Sequence, residues 1–149
     1  MQNFLGFGIP QTIKGHGAFY SAQGAGQVSA IDTRDTSAIA VNVLTQSGHD
    51  GRSYELTGGE SLSNDEIAAL FSAALGRDIR HVAITEAAAS EAMAGAGVPP
   101  WLASLLTELT AIGRAGYLAA VLPDTETLLG RKPTTFAAFI QDHLGVFRA

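Results

Sequence analysis

The charged and nucleophilic residues of this sequence are few, and their spacing matches no catalytic motif. Asp32, Arg34 and Asp35 form the densest charged cluster. Capping of a helix by Asp35, together with a local ion pair, explains this cluster better than catalysis does. A Tyr-x-x-x-Lys pair, of the kind that serves hydride transfer, is absent, and so is a Gly-x-Ser-x-Gly nucleophile elbow. No catalytic residue is therefore assigned.

Metal binding and thiol chemistry have no support in the sequence. The chain contains no cysteine, which excludes thiolate catalysis, disulfides and cysteine-ligated metal sites. The four histidines are scattered, and no two of them have ligand spacing on one helix. We therefore expect no metal site.

The glycine pairs of the sequence do not complete a nucleotide-binding loop. Gly15-His-Gly17 and Gly24-Ala-Gly26 are the only nearby candidates. Neither follows a predicted strand, and neither has the third glycine that a dinucleotide turn requires. No Gly-Lys-Ser/Thr triplet is present. We expect no complete dinucleotide site within this chain.

Composition limits the class of protein and its partners. Hydrophobic residues make up 46% of the 149 residues, charged residues make up 15%, and the net charge is −5. This composition suits one globular domain with a sizeable core. Nine basic against 14 acidic residues, with no basic run, argue against nucleic-acid binding. The longest apolar stretch, 84–93, is interrupted by polar residues, and the N-terminus lacks a secretory pattern. We expect a soluble cytoplasmic protein without membrane contact.

Hydrophobic periodicity predicts three strands separated by helices and followed by helices only. The strands are expected at 27–31, 53–57 and 79–84, and the helices at 36–45, from Ser63 to Gly76, after Thr85, from about Pro100, at 124–130, and after Thr134 or Thr135. The last helix is expected to include Leu144. Strands that alternate with helices favour parallel pairing. The predicted fold class is α/β, a partial Rossmann-like domain with about three mainly parallel strands and a helical C-terminal region.

The first 27 residues are predicted to be a glycine-rich loop. They contain six of the 17 glycines, with aromatic residues between them. Aromatic side chains in such a segment usually pack against something, either their own core or another surface. Trp101 and Tyr117 flank a predicted apolar helix, where core packing and a ligand wall are both open.

Seven short segments form a recognisable pattern by their order and spacing. They are MQNFL at 1–5, GAFY at 17–20, VSAIDTRD at 28–35, GRSYELTG at 51–58, SLS at 61–63, ALGR at 74–77 and TTFAAF at 134–139. In this order they resemble the NmrA-like branch of the atypical short-chain dehydrogenase/reductases, over essentially all 149 residues. The resemblance implies an oxidoreductase that uses NAD or NADP.

The family begins with a Rossmann half that carries the glycine-rich turn for NAD(P), and Met1 resembles a position just past the fifth strand. The resemblance therefore implies a single domain, 1–149, that is only the C-terminal, substrate-facing half and does not bind the dinucleotide alone. It places Asn3 and Phe4 nearest the cofactor, since ligands bind beyond strand ends. It also implies a pocket for an apolar or aromatic small molecule. The pocket candidates are Phe4, Phe7, Phe19, Tyr20, Trp101, Leu105 and Tyr117.

Two alternatives remain open at the level of the sequence. One is a cofactor-free small-molecule-binding or scaffold protein that reuses this half, and the other is a truncated product. In each case another protein surface would have to cover the edge of a three-stranded sheet and an exposed apolar patch at the N-terminus. The patch consists of Phe4, Leu5, Phe7, Phe19 and Tyr20. We therefore expect a homodimer, or a partner chain that supplies the Rossmann half.

Overall fold

Four short strands and eight α-helices follow one another along residues 1–148, the part of the chain that the computed structural model describes. The strands are β1 (Ala18–Ser21), β2 (Gln27–Val28), β3 (Leu62–Ser63) and β4 (Arg80–Ala83). The helices are α1 (Ile9–His16), α2 (Thr33–Thr45), α3 (Asn64–Leu75), α4 (Glu86–Gly95), α5 (Pro100–Arg114), α6 (Asp124–Leu129), α7 (Phe136–Asp142) and α8 (Leu144–Phe147). A 3-10 turn, Gln2–Leu5, precedes α1.

The strands form two small sheets. β1 pairs with β4 in parallel, with Ala18 opposite Arg80 and Ser21 opposite Ala83. β2 pairs with β3 in the antiparallel direction. The connection from β1 to β4 includes α2 and α3, as a parallel pair requires. The expected α/β fold class is confirmed, but the expected set of strands is only partly right.

Two strand predictions were wrong, and a contact between residues distant in sequence explains each of them. Residues 53–57 form no strand, because side chains of α6 take up their backbone groups. Asp124 accepts a hydrogen bond from the Glu55 amide at 3.1 Å, and Thr125 Oγ1 donates to the Thr57 carbonyl at 2.7 Å. Conversely, 18–21 is a strand where a loop was expected, because β4 supplies a neighbour distant in sequence.

The start of α2 also differs from the prediction. The helix begins at Thr33, and its N-cap is Asp32 rather than Asp35, with the Arg34 amide donating to Asp32 Oδ1 at 2.8 Å. Asp35 lies in the first turn and is fully buried. The apolar periodicity begins only after Asp35, so it placed the helix start three residues too late.

The other helix ends follow their capping residues closely. Ser63 and Glu66 form the predicted capping box of α3, and Gly76 ends that helix with φ 66°. Thr85 caps α4, and Thr135, not Thr134, caps α7. The prediction of one helix through Leu144 was wrong, because α7 ends at Asp142 and Leu144 begins α8.

The hydrophobic core lies between α1, β1, α3 and the C-terminal helices. Its centre is a cluster of phenylalanines: Phe19, Phe71, Phe136, Phe139 and Phe147. Phe4 and Leu5 pack against this cluster. The predicted exposed N-terminal patch is therefore wrong for three of its five residues, and only Phe7 and Tyr20 are exposed. The prediction of a loop over the first 27 residues was also wrong, because α1 and β1 order this segment and Phe4 and Phe19 pack into the core.

The α4–α5 hairpin, residues 86–114, stands apart from this core. α4 buries no residue, and α5 buries only Ala103 and Gly113. None of the helices in the described part of the chain is long and apolar enough to cross a membrane.

Candidate functional site

The carboxyl ends of β1 and β4 lie side by side. The Ile84 amide, just after β4, donates to the carbonyl of Ser21 at 3.1 Å. Ligands of α/β proteins bind outside the carboxyl ends of parallel strands. The loop that follows β1 (22–26) and the start of α4 therefore border the candidate site.

The carboxyl end of α5 packs tightly against this loop. A Cβ atom on Gly26 would lie 2.3 Å from the carbonyl oxygen of Gly113, so only glycine permits this approach at position 26. Gln23 Nε2 donates to the carbonyl of Gly26 at 2.8 Å and holds the turn closed. The two glycines thus bring α5 beside the end of β1.

Arg114, the last residue of α5, connects three segments at this place. Its Nη1 donates to the carbonyl of Ala22 at 2.9 Å. Its Nη2 forms an ion pair with Glu86, the first residue of α4. The guanidinium therefore joins the end of β1 to both ends of the α4–α5 hairpin.

A shallow depression lies where these segments meet, and small residues line most of it. The lining residues are Ala25, Gly26, Gln27, Arg114, Ala115, Gly116 and Ala119. Tyr117 follows Gly116 directly, and its residue surface is 81% exposed. The side chain of Tyr117 is therefore exposed to solvent next to the depression in sequence.

An apolar stripe runs along the exposed side of α5. It consists of Trp101, Leu105, Leu109 and Ile112, whose spacing of three and four residues places them on one helix face. Trp101 is 69% exposed. We call these four residues the α5 stripe. Apolar side chains held exposed on one face are typical of a binding surface.

The predicted pocket residues fall into two separate groups. Phe19 is 2% exposed, and the Phe4 ring lies 5.5 Å from it and 5.1 Å from Phe136, so both pack into the core. The core cluster includes none of Trp101, Leu105 and Tyr117. These three residues lie on or just after α5 and are exposed.

The remaining predicted residues lie outside the core. Phe7 is 64% exposed and has a left-handed backbone (φ 53°), which is uncommon outside glycine. Tyr20 is exposed and stands opposite Val82 in the β1–β4 register. Asn3 is exposed in the 3-10 turn, and its carbonyl accepts the Gly6 amide at 3.2 Å.

Sequence reasoning did not assign a role to Arg114, Leu109, Ile112 or the Gly26–Gly113 contact. The periodicity of the predicted helix places Leu109 and Ile112 on an apolar face, but periodicity does not show whether a face is covered. The Gly26–Gly113 contact joins residues 87 positions apart, and a single sequence offers no signal for it. An arginine at the end of a helix is a weak signal, since it also suits the helix dipole.

The charged cluster near the start of α2 is structural. Burial raises the pKa of Asp32, but hydrogen bonds from Arg34 and Gln2 outweigh it and lower the pKa to about 2. Arg34 also pairs with Asp142 of α7 at 2.7 Å. These groups connect the 3-10 turn, α2 and α7, and none of them lines the depression.

Dinucleotide-binding folds hold the pyrophosphate at a glycine-rich turn that leads into a helix N-terminus. The loop with Gly24 and Gly26 follows β1, but it leads into β2 rather than a helix N-terminus, and α5 occupies the close approach at Gly26. No group of three acidic or histidine side chains that could hold a metal ion occurs within residues 1–148.

Comparison with curated proteins identifies reductases. The chain is 45% identical over 149 residues to the NAD(P)H azoreductase of Xenophilus azovorans, covering 100% of this chain and 51% of that protein. It is 30% identical to an agroclavine dehydrogenase of Claviceps fusiformis, covering 99% and 52%. The chain thus spans about half the length of the curated relatives it matches. No family model matches it.

Solved structures agree on the fold. The chain superimposes on the NADPH-dependent quinone oxidoreductase of Escherichia coli with a TM-score of 0.86 and 27% identity, covering 97% of this chain and 51% of that one. The triphenylmethane reductase of Citrobacter sp. complexed with NADP(H) gives a TM-score of 0.77 at 23% identity, covering 85% and 44%. The sequence identity to the azoreductase and the fold shared with the quinone oxidoreductase confirm the expected relation to NAD(P)H-dependent reductases.

Proposed function

We propose that this chain forms the substrate-side half of an NmrA-like, NAD(P)H-dependent oxidoreductase that reduces a planar apolar acceptor of the quinone or azo class. The 45% identity to an NAD(P)H azoreductase over all 149 residues carries this proposal. The fold shared with a quinone oxidoreductase supports it. We assign dinucleotide binding to the other half of the reductase fold, which relatives of twice the length include, because the loop with Gly24 and Gly26 in this chain leads into β2 and not into a helix N-terminus.

The acceptor-binding surface that we propose is the α5 stripe together with Tyr117. Trp101 and Tyr117 offer aromatic faces for stacking, and Leu105 lies one turn after Trp101 on the same side of α5. The carboxyl end of α5, just after Ile112, is joined to the segments that follow β1 and β4 by the contacts of Arg114. Of the sequence-predicted pocket residues, Trp101, Leu105 and Tyr117 keep this proposed role.

Phe4 and Phe19 fit the proposed pocket less well, because their side chains fill the core. Their role in this proposal is to fill the hydrophobic core on which β1 packs. Asn3 stays exposed and available to a neighbouring half of the fold. Phe7 and Tyr20 are likewise exposed and available to such a neighbour.

Trp101 makes the acceptor proposal directly testable, since it is the single tryptophan of the chain. Titration with 2-methyl-1,4-naphthoquinone should quench its fluorescence to saturation. Leu105→Gln should weaken the apparent affinity about tenfold, by removing apolar contact area worth about 1.4 kcal/mol. The control is Leu44→Gln on α2, a leucine that is more exposed than Leu105 and lies away from the stripe. Quenching that never saturates, or that Leu105→Gln leaves unchanged, would contradict the proposal.

A second candidate function is a cofactor-free binding protein, and the exposed apolar face of α5 favours it, since such a face can bind a small molecule without a cofactor. Both candidates predict weak or undetectable binding of NADPH to this chain alone. Only the oxidoreductase predicts hydride transfer to the quinone once a Rossmann half is supplied, for example as a fusion to the corresponding half of a longer relative. NADPH oxidation by that fusion would exclude the cofactor-free candidate. Micromolar NADPH binding by the lone chain, measured by calorimetry, would overturn the assignment of the cofactor to the other half.

A further inference from the structure

We propose that Arg114 is a positioning residue, which fixes the α4–α5 hairpin relative to the carboxyl ends of β1 and β4 and so sets where the α5 stripe stands. The inference rests on the proposed function for the role of the stripe. The attachment itself rests on geometry alone. Arg114 does not belong to the stripe, and it acts through the hairpin.

The hairpin has few other attachments. None of its residues belongs to the hydrophobic core cluster. Its two helices pack mainly on each other, along a shallow groove lined by residues of both, among them Ala94, Val98, Ser104 and Thr107. A helix pair with so little buried apolar area depends on a few contacts for its orientation.

Arg114 provides the one hydrogen bond that leaves the hairpin. Within residues 1–148, every other hydrogen bond of residues 86–114 is made within the hairpin or to the residues that directly flank it. The exception is the bond from Arg114 Nη1 to the Ala22 carbonyl, 2.9 Å long. The other arm of the guanidinium pairs with Glu86 and closes the base of the hairpin.

The planar fork of arginine suits this double contact. Two of its donors point to different acceptors at fixed angles, whereas the ammonium group of lysine is a point charge on a flexible stem. Lysine at position 114 can therefore retain one contact but not the geometry of both. The van der Waals contact of Gly26 with Gly113 adds close packing beside the fork, but no hydrogen bond.

Removing the guanidinium of Arg114 should make the α4–α5 hairpin more mobile without unfolding the hydrophobic core. Ile112 and Leu109, the stripe residues nearest Arg114, would then lose their fixed position relative to β1. An acceptor that stacks on the stripe would bind more weakly, because the protein would have to order the hairpin upon binding.

The test combines hydrogen exchange with quenching of Trp101. In Arg114→Gln we expect amide exchange in 86–112 to accelerate at least tenfold, with exchange in α3 and α7 unchanged. Affinity for 2-methyl-1,4-naphthoquinone should fall at least fivefold. Arg114→Lys should lie between Arg114→Gln and the wild type. The matched control is Arg80→Gln, since Arg80 is an exposed arginine on β4 that pairs only with exposed Asp78.

The two readouts separate the possible failures. If exchange in 86–112 is the same in Arg114→Gln and the wild type, the positioning role is wrong. If exchange accelerates but quinone affinity is unchanged, the hairpin is attached by Arg114 without positioning the acceptor, and the inference is also wrong. If the wild type itself shows no saturable quenching, the proposed function fails, while hydrogen exchange still tests the attachment. Should Arg114→Gln not fold, Arg114→Lys carries the same comparison.

Discussion

At the scale of the single residue, the carboxylate of Asp35 accepts three hydrogen bonds from the segment before α7. The sequence predicted a helix cap, and the structure shows a fully buried carboxylate. Its oxygens accept hydrogen bonds from Arg131 at 2.7 Å, from the Thr134 amide at 2.6 Å and from the Thr134 hydroxyl at 3.1 Å. Asp35 therefore joins α2 to the segment before α7, and its role is structural.

Asp35→Ala should destabilise the protein by more than the loss of a cap would. Removing the carboxylate leaves the Thr134 amide without its acceptor in a partly buried place, and we expect a loss of about 3 kcal/mol in the free energy of unfolding. Urea unfolding monitored by circular dichroism measures this loss. Asp50→Ala, at an exposed turn, is the control and should change stability by less than about 0.5 kcal/mol. A loss of only about 1 kcal/mol would mean that Asp35 contributes no more than a cap.

At the scale of the element, local signals predicted helix ends well and strand pairing poorly. The capping box of Ser63 and Glu66 fixes the start of α3 within four residues of sequence, so it was visible without the fold. β1 exists because β4, about 60 residues later, lies beside it, and nothing within 18–21 reveals that neighbour. For the candidate site, too, local features were predictable from the sequence and tertiary contacts were not. The apolar face of α5 was predictable, while its exposure and its attachment through Arg114 depend on tertiary contacts.

The start of α2 makes part of the stability depend on pH. The pKa of Asp32 is about 2 in the folded protein, below its ordinary value of 3.8. A lowered folded-state pKa stabilises the protein above the ordinary pKa, and this stabilisation is lost as the pH falls from about 4 to about 2. Asp32→Asn, which can still cap the helix, should therefore cost about 2 kcal/mol at pH 7 and much less at pH 2.

Urea midpoints measured at several pH values check this prediction. Asp50→Asn, at an exposed turn, is the control for the substitution itself and should change the midpoint little at pH 7. A cost of Asp32→Asn that is equal at pH 7 and pH 2 would show that the carboxylate charge does not stabilise α2.

At the scale of the whole molecule, the structure has a well-packed side and a sparsely packed side. The phenylalanine cluster unites α1, β1, α3, α7 and α8, whereas the α4–α5 hairpin adds none of its residues to that cluster. Local opening is expected to begin where few apolar groups are buried. We therefore expect the α4–α5 hairpin to open before the elements that share the phenylalanine cluster.

The sparsely packed side also gives the expectation of a homodimer a new basis. The N-terminal segment cannot drive dimerisation as first expected, since Phe4, Leu5 and Phe19 pack inward. The α5 stripe remains uncovered, with Trp101, Leu105, Leu109 and Ile112 all exposed on one helix. Two stripes packed across a twofold axis would remove both from water, and closed dimers are the commonest oligomers. The net charge of −5 is small enough to allow this contact.

We therefore expect light scattering after gel filtration at low micromolar concentration to give about twice the 15.4 kDa mass of the chain. Leu109→Glu should shift the protein to the monomer, because the dimer would bury two unpaired carboxylates at its centre. Glu108→Gln on α5 is the neighbouring control and should remain dimeric. Because the acceptor and the second copy would use the same stripe, saturating naphthoquinone should shift the wild type toward the monomer. A wild-type chain that is monomeric at all concentrations would contradict the dimer, and a dimer that quinone does not dissociate would show that the two surfaces differ.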